Sequence, residues 1–495
     1  MKLYMSDIKR LQTVVLSLVT LALILVGQSC RETTFTTDPE DMLGFSTDTL
    51  QFDTVFTTVG SATRDFRVLN PHNESIRISD ISLAGGESSL FRMNVDGIPG
   101  ITHEDIEVLP NDSVWIFVEV TIDPVAGNLP MVVEDSIIFF TNGVRQSVLL
   151  VAWGQNAIFI SGQRVCDETW TDELPYVIYN YAQIDSNCTL TMEEGVDVHF
   201  HANSGLIIDG TLIVNGETDS VVTFQGDRLE PVFSDKPGQW DGLFFLRSSS
   251  GNSLNNLVIK NAIQGIVSGF TKESENSVGD IVTGQVPEIH MYNVQIYDIT
   301  GNGILSLRSE ISGENVLIYN IGESNLALLL GGDYDFTHST FANFGSFFLS
   351  HQSPILVLSN LFNFGQDELG QDIIGVAGLE TANFTNCIVE GSILEGKEFA
   401  RADIEEEGIA FNDSFTNCIL RTDIDTAEFD DTNCQINANV FFIDRSGRNY
   451  GLTEGSAGID EAIGTSVTFD LNGNMRPFAG TDPDIGAIES GYEEP

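Results

Sequence analysis

A short phrase that returns at a near-constant interval constrains this chain more than any other feature. It reads Asn256-Leu-Val-Ile259-Lys-Asn261, then Asn293-Val-Gln-Ile296-Tyr-Asp298, Asn315-Val-Leu-Ile318-Tyr-Asn320 and His338-Ser-Thr-Phe341-Ala-Asn343. The apolar anchors Ile296, Ile318, Phe341 and Phe362 lie 22, 23 and 21 residues apart. A period near 22 among strand-like runs predicts a parallel solenoid, because one such unit buries its apolar face only when neighbours stack on it. Coils about 4.8 Å apart would align Ile259, Ile296, Ile318, Phe341 and Phe362 in one internal column. Two positions further on, Asn261, Asp298, Asn320 and Asn343 are residue types that tolerate a left-handed bend, and an amide there can bond its counterpart in the next coil.

The ends and the first third read differently. In residues 1–29, Lys9 and Arg10 precede an apolar run from Val14 to Val26 that is short for a membrane span, the pattern of an export signal. Gly27-Gln28-Ser29-Cys30 resembles a bacterial lipobox. That resemblance implies a lipidated Cys30 and attachment to a bilayer without spanning it. Residues 30–44, rich in Thr and acids, then read as a tether. From 45 to 156, short alternating runs such as Ser113-Val-Trp-Ile-Phe-Val-Glu-Val120 are divided by turn signals, of which Asn142-Gly143 is the strongest for a hairpin. The rhythm predicts a β-sandwich. It resembles immunoglobulin-like modules of bacterial envelope proteins, which implies a spacer or docking role.

From 158 to 490, Cys188-Thr-Leu-Thr-Met, Gly205-Leu-Ile-Ile-Asp-Gly210-Thr-Leu-Ile-Val and Gln239-Trp240-Asp241-Gly242 resemble the opening coils of right-handed parallel β-helix proteins of the pectin-lyase-like superfamily. Gly455-Ser-Ala-Gly-Ile459-Asp460, Asp470-Leu-Asn472-Gly-Asn474 and Asp482-Pro-Asp484-Ile485-Gly486 resemble the choice-of-anchor-type closing motif of exported bacterial β-helix proteins. The resemblance implies a cap over the last coil, whose open sheet edge would otherwise invite aggregation. The expected fold is therefore all-β, a right-handed parallel β-helix preceded by a small immunoglobulin-like β-sandwich. Excursions from the stack are expected at 271–280 and 397–412, where polar insertions interrupt the period.

A formal charge of −50, with only 22 Lys and Arg, argues against nucleic acid as a partner, since phosphate binding needs clustered cations. It disfavours acidic polysaccharide as well, unless a divalent cation bridges the charges. Catalytic equipment is sparse. Lyases and hydrolases of the resembled superfamily carry an Asp cluster with Arg-x-Lys, or an Asn-Thr-Asp, Asp-Asp and Gly-His-Gly set; here Asp430-Asp431 stands without His or Arg partners. Asp197, His199 and His201 alternate, so a strand would point them to one face, as a metal site or as an ordinary wet face. Asp470, Asn472, Asp482 and Asp484 offer oxygen ligands for calcium or, alternatively, caps for turns; Asp470-Leu-Asn472-Gly-Asn474 has the oxygen spacing of a calcium loop, but an EF-hand fails because its sixth position lacks Gly and Thr481 stands where the bidentate Glu belongs.

Tyr297 and Tyr319 fall at matching positions of successive coils, near Lys260. Stacked outside, they could hold a neutral sugar ring or simply stabilise the coil. Cys387 and Cys418 share the phrase Phe-Thr-Asn-Cys-Ile and should stack as buried thiols, while Cys166 and Cys188, 22 residues apart, could bridge adjacent coils. The function expected is that of an outer-membrane lipoprotein, periplasmic or surface-facing, acting as a non-catalytic scaffold, adhesin or glycan-binding protein, with a glycan or another envelope protein as partner. The alternative is a polysaccharide lyase or glycoside hydrolase that uses carboxylates of the 397–431 region.

Overall fold

The structure is a computed structural model that describes residues 34–491, except 58–59, 123–130, 271–277, 367–368, 394–396, 405–407 and 479. The signal segment and Cys30 lie outside the described residues, as do Thr271–Ser277 and Glu405–Glu407 of the two expected excursions. The chain divides into two compact units at Gln155/Asn156.

The first unit is a β-sandwich. Its strands are β1 Gly44–Phe45, β2 Thr49–Phe56, β3 Arg64–Leu69, β4 Ile76–Leu83, β5 Phe91–Val95, β6 Ile98–Gly100, β7 Thr102–Val108, β8 Ser113–Val120, β9 Met131–Thr141 and β10 Val144–Gln155. They form two five-stranded sheets, β1-β3-β8-β5-β6 and β2-β10-β9-β4-β7. Alternation explains the packing: in β8, Ile116, Val118 and Val120 are buried while Trp115, Phe117 and Glu119 face outward. Phe66, Phe91, Ile78 and Phe139 complete the core between the sheets. Asn142 and Gly143 both take positive φ, 51° and 78°, the requirement of a type I′ hairpin that matches strand twist, and they join β9 to β10. The residues expected as a tether are not all free of the sandwich. Phe35 bridges to Ser75 and lies under the Arg77 guanidinium, and Leu43 is buried in the core. Two apolar anchors in an otherwise polar stretch account for the difference.

The second unit is a right-handed parallel β-helix built on one 24-stranded sheet. Its internal column runs in register through Tyr176, Val198, Phe224, Ile259, Ile296, Ile318, Phe341, Val389, Leu420 and Ile436. A second wall contributes Leu206, Leu243, Ile266, Ile304, Leu326, Leu356 and Phe399. A third contributes the stacked rings of Phe336, Phe384 and Phe415, with centroids 5.5 and 5.0 Å apart. All of these merge into one continuous hydrophobic core.

Phe362 departs from the expected column. Leu361–Gln366 pairs antiparallel with Asp372–Val376 as a hairpin outside the stack, and Phe362 packs beside Ile281, Leu330 and Ala377. Its 21-residue spacing from Phe341 is coincidental; Val389 takes the rung. Conversely, part of the expected excursion at 397–412 belongs to the stack, since Phe399–Ala402 pairs in register with Leu356–Ser359.

The bends follow the Asn positions. Asn261, Asp298 and Asn320 take positive φ, and Asn320 donates to the Asp298 carboxylate one coil away; Asn343 instead keeps ordinary φ and bonds the Ile321 carbonyl. A longer ladder stands at the first residue of the phrase. Asn256, Asn293, Asn315, His338, Asn386 and Asn417 all have positive φ. Their side chains link coil to coil, Asn293 to Asn256 at 3.0 Å, Asn315 to Asn293 at 2.9 Å, Asn386 to His338 at 3.0 Å and Asn417 to Asn386 at 3.2 Å. Cys166 and Cys188 form a disulfide between neighbouring coils. Cys387 and Cys418 are buried and stacked as expected, and Cys434 extends the series, each thiol donating to a carbonyl of the coil before it.

The closing segment does not form the expected end cap. Residues 437–491 run back along one flank of the β-helix. There Asn386 bonds Ile463, Asn417 bonds the Glu461 carbonyl, the Thr340 hydroxyl accepts from Ala487, and Asn315 contacts both Phe469 and Arg476. The reason is the outward column Leu317, Thr340, Ile388 and Ile419, whose three apolar members are buried by Leu452, Ile459, Leu471, Ile485 and Ile488. Arg476 and Glu489, each side chain 1% exposed, pin this strap as a buried ion pair.

Candidate functional site

The strap and the flank enclose the candidate site. Register aligns Lys260, Tyr297, Tyr319, Ala342 and Glu390 in one outward column, so the three residues singled out for ligand binding are brought together. Their surroundings differ from an open platform. Tyr297 and Tyr319 stack at 4.8 Å, Tyr450 of the strap lies 4.7 Å beyond Tyr319, and Tyr319 is only 3% exposed. The expectation of exposed tyrosine rungs is thus corrected: the strap covers them. A signal was present in the sequence, because Val316-Leu-Ile-Tyr319 is apolar on both faces, as a strand buried on both sides should be.

Beside the covered rings opens a cleft of about 540 Å³, lined by Tyr319, Asn320, Phe344, Phe347, Arg448 and Tyr450 among others. At its floor Arg448 reaches two carboxylates, Asp235 at 2.7 Å and Asp298 at 2.8 Å, and its guanidinium lies 4.6 Å over the Tyr297 ring. Burial pushes the Asp298 carboxyl up, against the pull of Arg448 and the hydrogen bond from Asn320. Burial also pushes the Lys260 ammonium down, and the Arg448 charge adds to it. Arg445 lies 4.1 Å over Phe344 and makes no ion pair among the described residues. The rim is a loop that presents Phe347, 95% exposed, edge-on to Phe348 at 5.0 Å. That loop is tied at its far end by the fully buried pair His351–Glu398 at 2.8 Å, whose carboxylate also accepts from the Ile393 amide. Two arginines and two aspartates balance to no net formal charge in the lining. In a chain this acidic, such a patch suits a neutral polyhydroxylated ligand.

The other candidate residues take structural roles. Asp470 accepts from the Asn472, Asn474 and Glu489 amides, and Asp484 from the Asp460 and Ser490 amides, so both carboxylates are occupied as turn caps. Asn472 and Asp482 point to solvent. The four oxygen donors are not gathered as a calcium shell, which needs six or more. Among the described residues no group of three or more His, Cys, Asp or Glu is placed to hold a metal. His199 is buried rather than wet, bonding Asp197 at 2.9 Å and the Gly226 carbonyl, while His201 turns to Asp227 at 2.7 Å. Although burial opposes it, the pairing with His199 holds the Asp197 carboxyl below the usual carboxylate range. Sequence reasoning missed Arg448, Arg445, Tyr450 and Asp235, which carry no periodic signal and come from the strap and a loop.

No family model matches the chain, and no curated protein matches it. Solved structures do. A Salmonella enterica SafA pilin in complex with the SafB chaperone is 10% identical with a TM-score of 0.17; the match covers 25% of this chain and 57% of that one. The ASH/PapD-like domain of human CEP192 is 9% identical, covered 26% and 92%, with a TM-score of 0.16. The catalytic domain of a GH87 alpha-1,3-glucanase in complex with nigerose is 10% identical over 77% of this chain and 89% of that one, with a TM-score of 0.16. The present chain therefore spans little more than half of the pilin–chaperone structure it matches, and likeness at this level carries no argument about activity.

Proposed function

We propose that this chain is a cell-envelope lipoprotein, held at the outer membrane through Cys30, whose β-helix is a non-catalytic scaffold that binds neutral glycan. The observation that carries the reading is the cleft between strap and flank. It pairs aromatic walls, Phe347 and Tyr450, with the Asp235–Arg448–Asp298 array, which can both accept from and donate to sugar hydroxyls. Sugar recognition needs that combination of apolar ring faces and convergent polar groups. The rival, a polysaccharide lyase or glycoside hydrolase, would need a free acid or base in the cleft. Asp235 and Asp298 are instead both engaged by one guanidinium.

Retention of labelled neutral and acidic oligosaccharides, with and without calcium, tests the reading. Neutral glycan should be retained by the intact protein and lost at least tenfold in Arg448→Met. Release of reducing ends or unsaturated sugars would replace the scaffold with an enzyme. Palmitate labelling lost in Cys30→Ala would support the anchor, and an unlabelled parent protein would refute it.

A further inference from the structure

The cysteines of the β-helix gather toward its two ends. A coil at the end of a solenoid has a neighbour on one side only and is the first to open. The first coil, Ile158–Val165 with Glu168–Trp170, is stapled to the second by the Cys166–Cys188 disulfide, whose Cα atoms are 4.7 Å apart. The last coil, Asp430–Thr432 with Gln435–Ile436, pairs only with the coil before it among the described residues, and it carries Cys434. Cys434 stands over Cys418, and Cys418 over Cys387, each one residue ahead of the in-register positions Gln435, Ile419 and Ile388. Each follows an Asn of positive φ, just as Cys188 follows Asn187. Neighbours in register, about 4.8 Å apart, fall within the Cα separation that a disulfide spans. The thiols are in contact: Cys434 hydrogen-bonds Cys418, and Cys418 hydrogen-bonds Cys387. The Cys418 and Cys434 sulfurs also accept, both at 3.4 Å, from the amide of the Cys one coil earlier. Cys387 and Cys418 are fully buried, whereas Cys434 is half-buried and is the member of the column that a reagent reaches.

We propose that Cys418 and Cys434 close into a disulfide that staples the last coil as Cys166–Cys188 staples the first, while Cys387 stays reduced. The oxidant is a small disulfide or a diazene. Cys434 Sγ attacks it, Cys418 Sγ then displaces it from the Cys434 sulfur, and the S–S bond forms. Both thiol hydrogens and two electrons leave on the reduced oxidant, as two thiols or as a hydrazine. Burial pushes the Cys418 thiol up; the hydrogen bond to Cys418, and then burial, push Cys434 up. Thiolate is therefore scarce, and the reaction quickens as pH rises. The bridge gives up the S–H donations to the Phe384 and Phe415 carbonyls and closes a 16-residue loop around the short turn at Thr426–Glu428. It does not depend on the glycan reading.

The test treats the whole folded chain with diamide at mildly alkaline pH, alkylates the remaining thiols and digests with trypsin without reduction. Arg421 lies between the two cysteines, so the bridge leaves peptides 402–421 and 422–445 joined, with Cys387 alkylated in 309–397. Hydrogen exchange at the amides of 430–436 should slow by about tenfold in the bridged chain, because the end coil no longer opens alone. Cys434→Ser should abolish both the joined peptides and the slowing, and Cys387→Ala should leave both in place. A link between 309–397 and 402–421, a dimer joined through Cys434, or three alkylated thiols overturns the pairing. Joined peptides with unchanged exchange overturn the staple.

Discussion

Two outward columns of the β-helix alternate alike in sequence and end in opposite surroundings. On one flank Lys260, Tyr297, Tyr319 and Ala342 lie beneath the strap, with Tyr319 and Ala342 fully buried. On another, His290, Ser312, Asp335, Asn383, Ser414 and Asp430 follow the same coil-to-coil register and remain exposed or half-buried. The difference teaches that pointing away from the core is not the same as meeting solvent. On a solenoid, whatever returns across the outside decides which rungs become a second core and which stay a surface.

Removing what pins the covered flank should have the largest effect. Arg476→Met leaves the Glu489 carboxylate buried without its cation, and unfolding in denaturant should show a loss of about 3–5 kcal/mol. Limited proteolysis should then cut within 437–491 first; equal resistance of parent and variant would mean that the strap is held by its apolar contacts alone. Tyr319→Ala removes a ring packed between Tyr297 and Tyr450 and should cost about 3–4 kcal/mol.

A third effect depends on pH. His338 stands in the Asn ladder, is fully buried, and has its pKa pushed down to about 3 by burial and then by the Arg476 charge. Because the folded value lies below the unfolded one, near 6.5, this stability is complete above about pH 6.5 and is lost as pH falls toward 3. By pH 4 the loss attributable to His338 should be about 3 kcal/mol. His338→Asn restores the residue of the neighbouring rungs, and its unfolding free energy should fall less steeply over the same interval; parallel pH profiles would remove His338 as the cause. The open column provides the contrast. Asp335→Ala should change stability by no more than about 0.5 kcal/mol, and a loss comparable to Tyr319→Ala would show that this face too is covered.

Most of the fold was legible because it repeats. Ile259, Ile296, Ile318 and Phe341 share one column as their spacing demands, and Asn142-Gly143 makes the hairpin its φ preferences require. The reading failed where spacing and topology part company. Phe362 keeps the period yet sits in a hairpin, while Phe399 breaks the period yet belongs to the stack. The candidate site was half legible. Lys260, Tyr297 and Tyr319 were visible as a column, but Arg448 and Tyr450 reach it from a non-repeating segment whose Gly- and Asp-rich motif says where the chain turns and not where it lands. The first Asn of the phrase went unread for a different reason. Its role is visible only once φ is known, since the second Asn offers the same chemistry in sequence.

The strap has a consequence for biosynthesis. One wall of the cleft comes from residues between Asp235 and Ser392, the other from Arg445 to Tyr450, with the Arg476–Glu489 lock further on still. A ribosome that stops before codon 445 would yield a product able to stack its coils yet unable to form the cleft. Assembly of the cleft therefore waits on residues 445–450, and the lock that holds its outer wall on residues further along still.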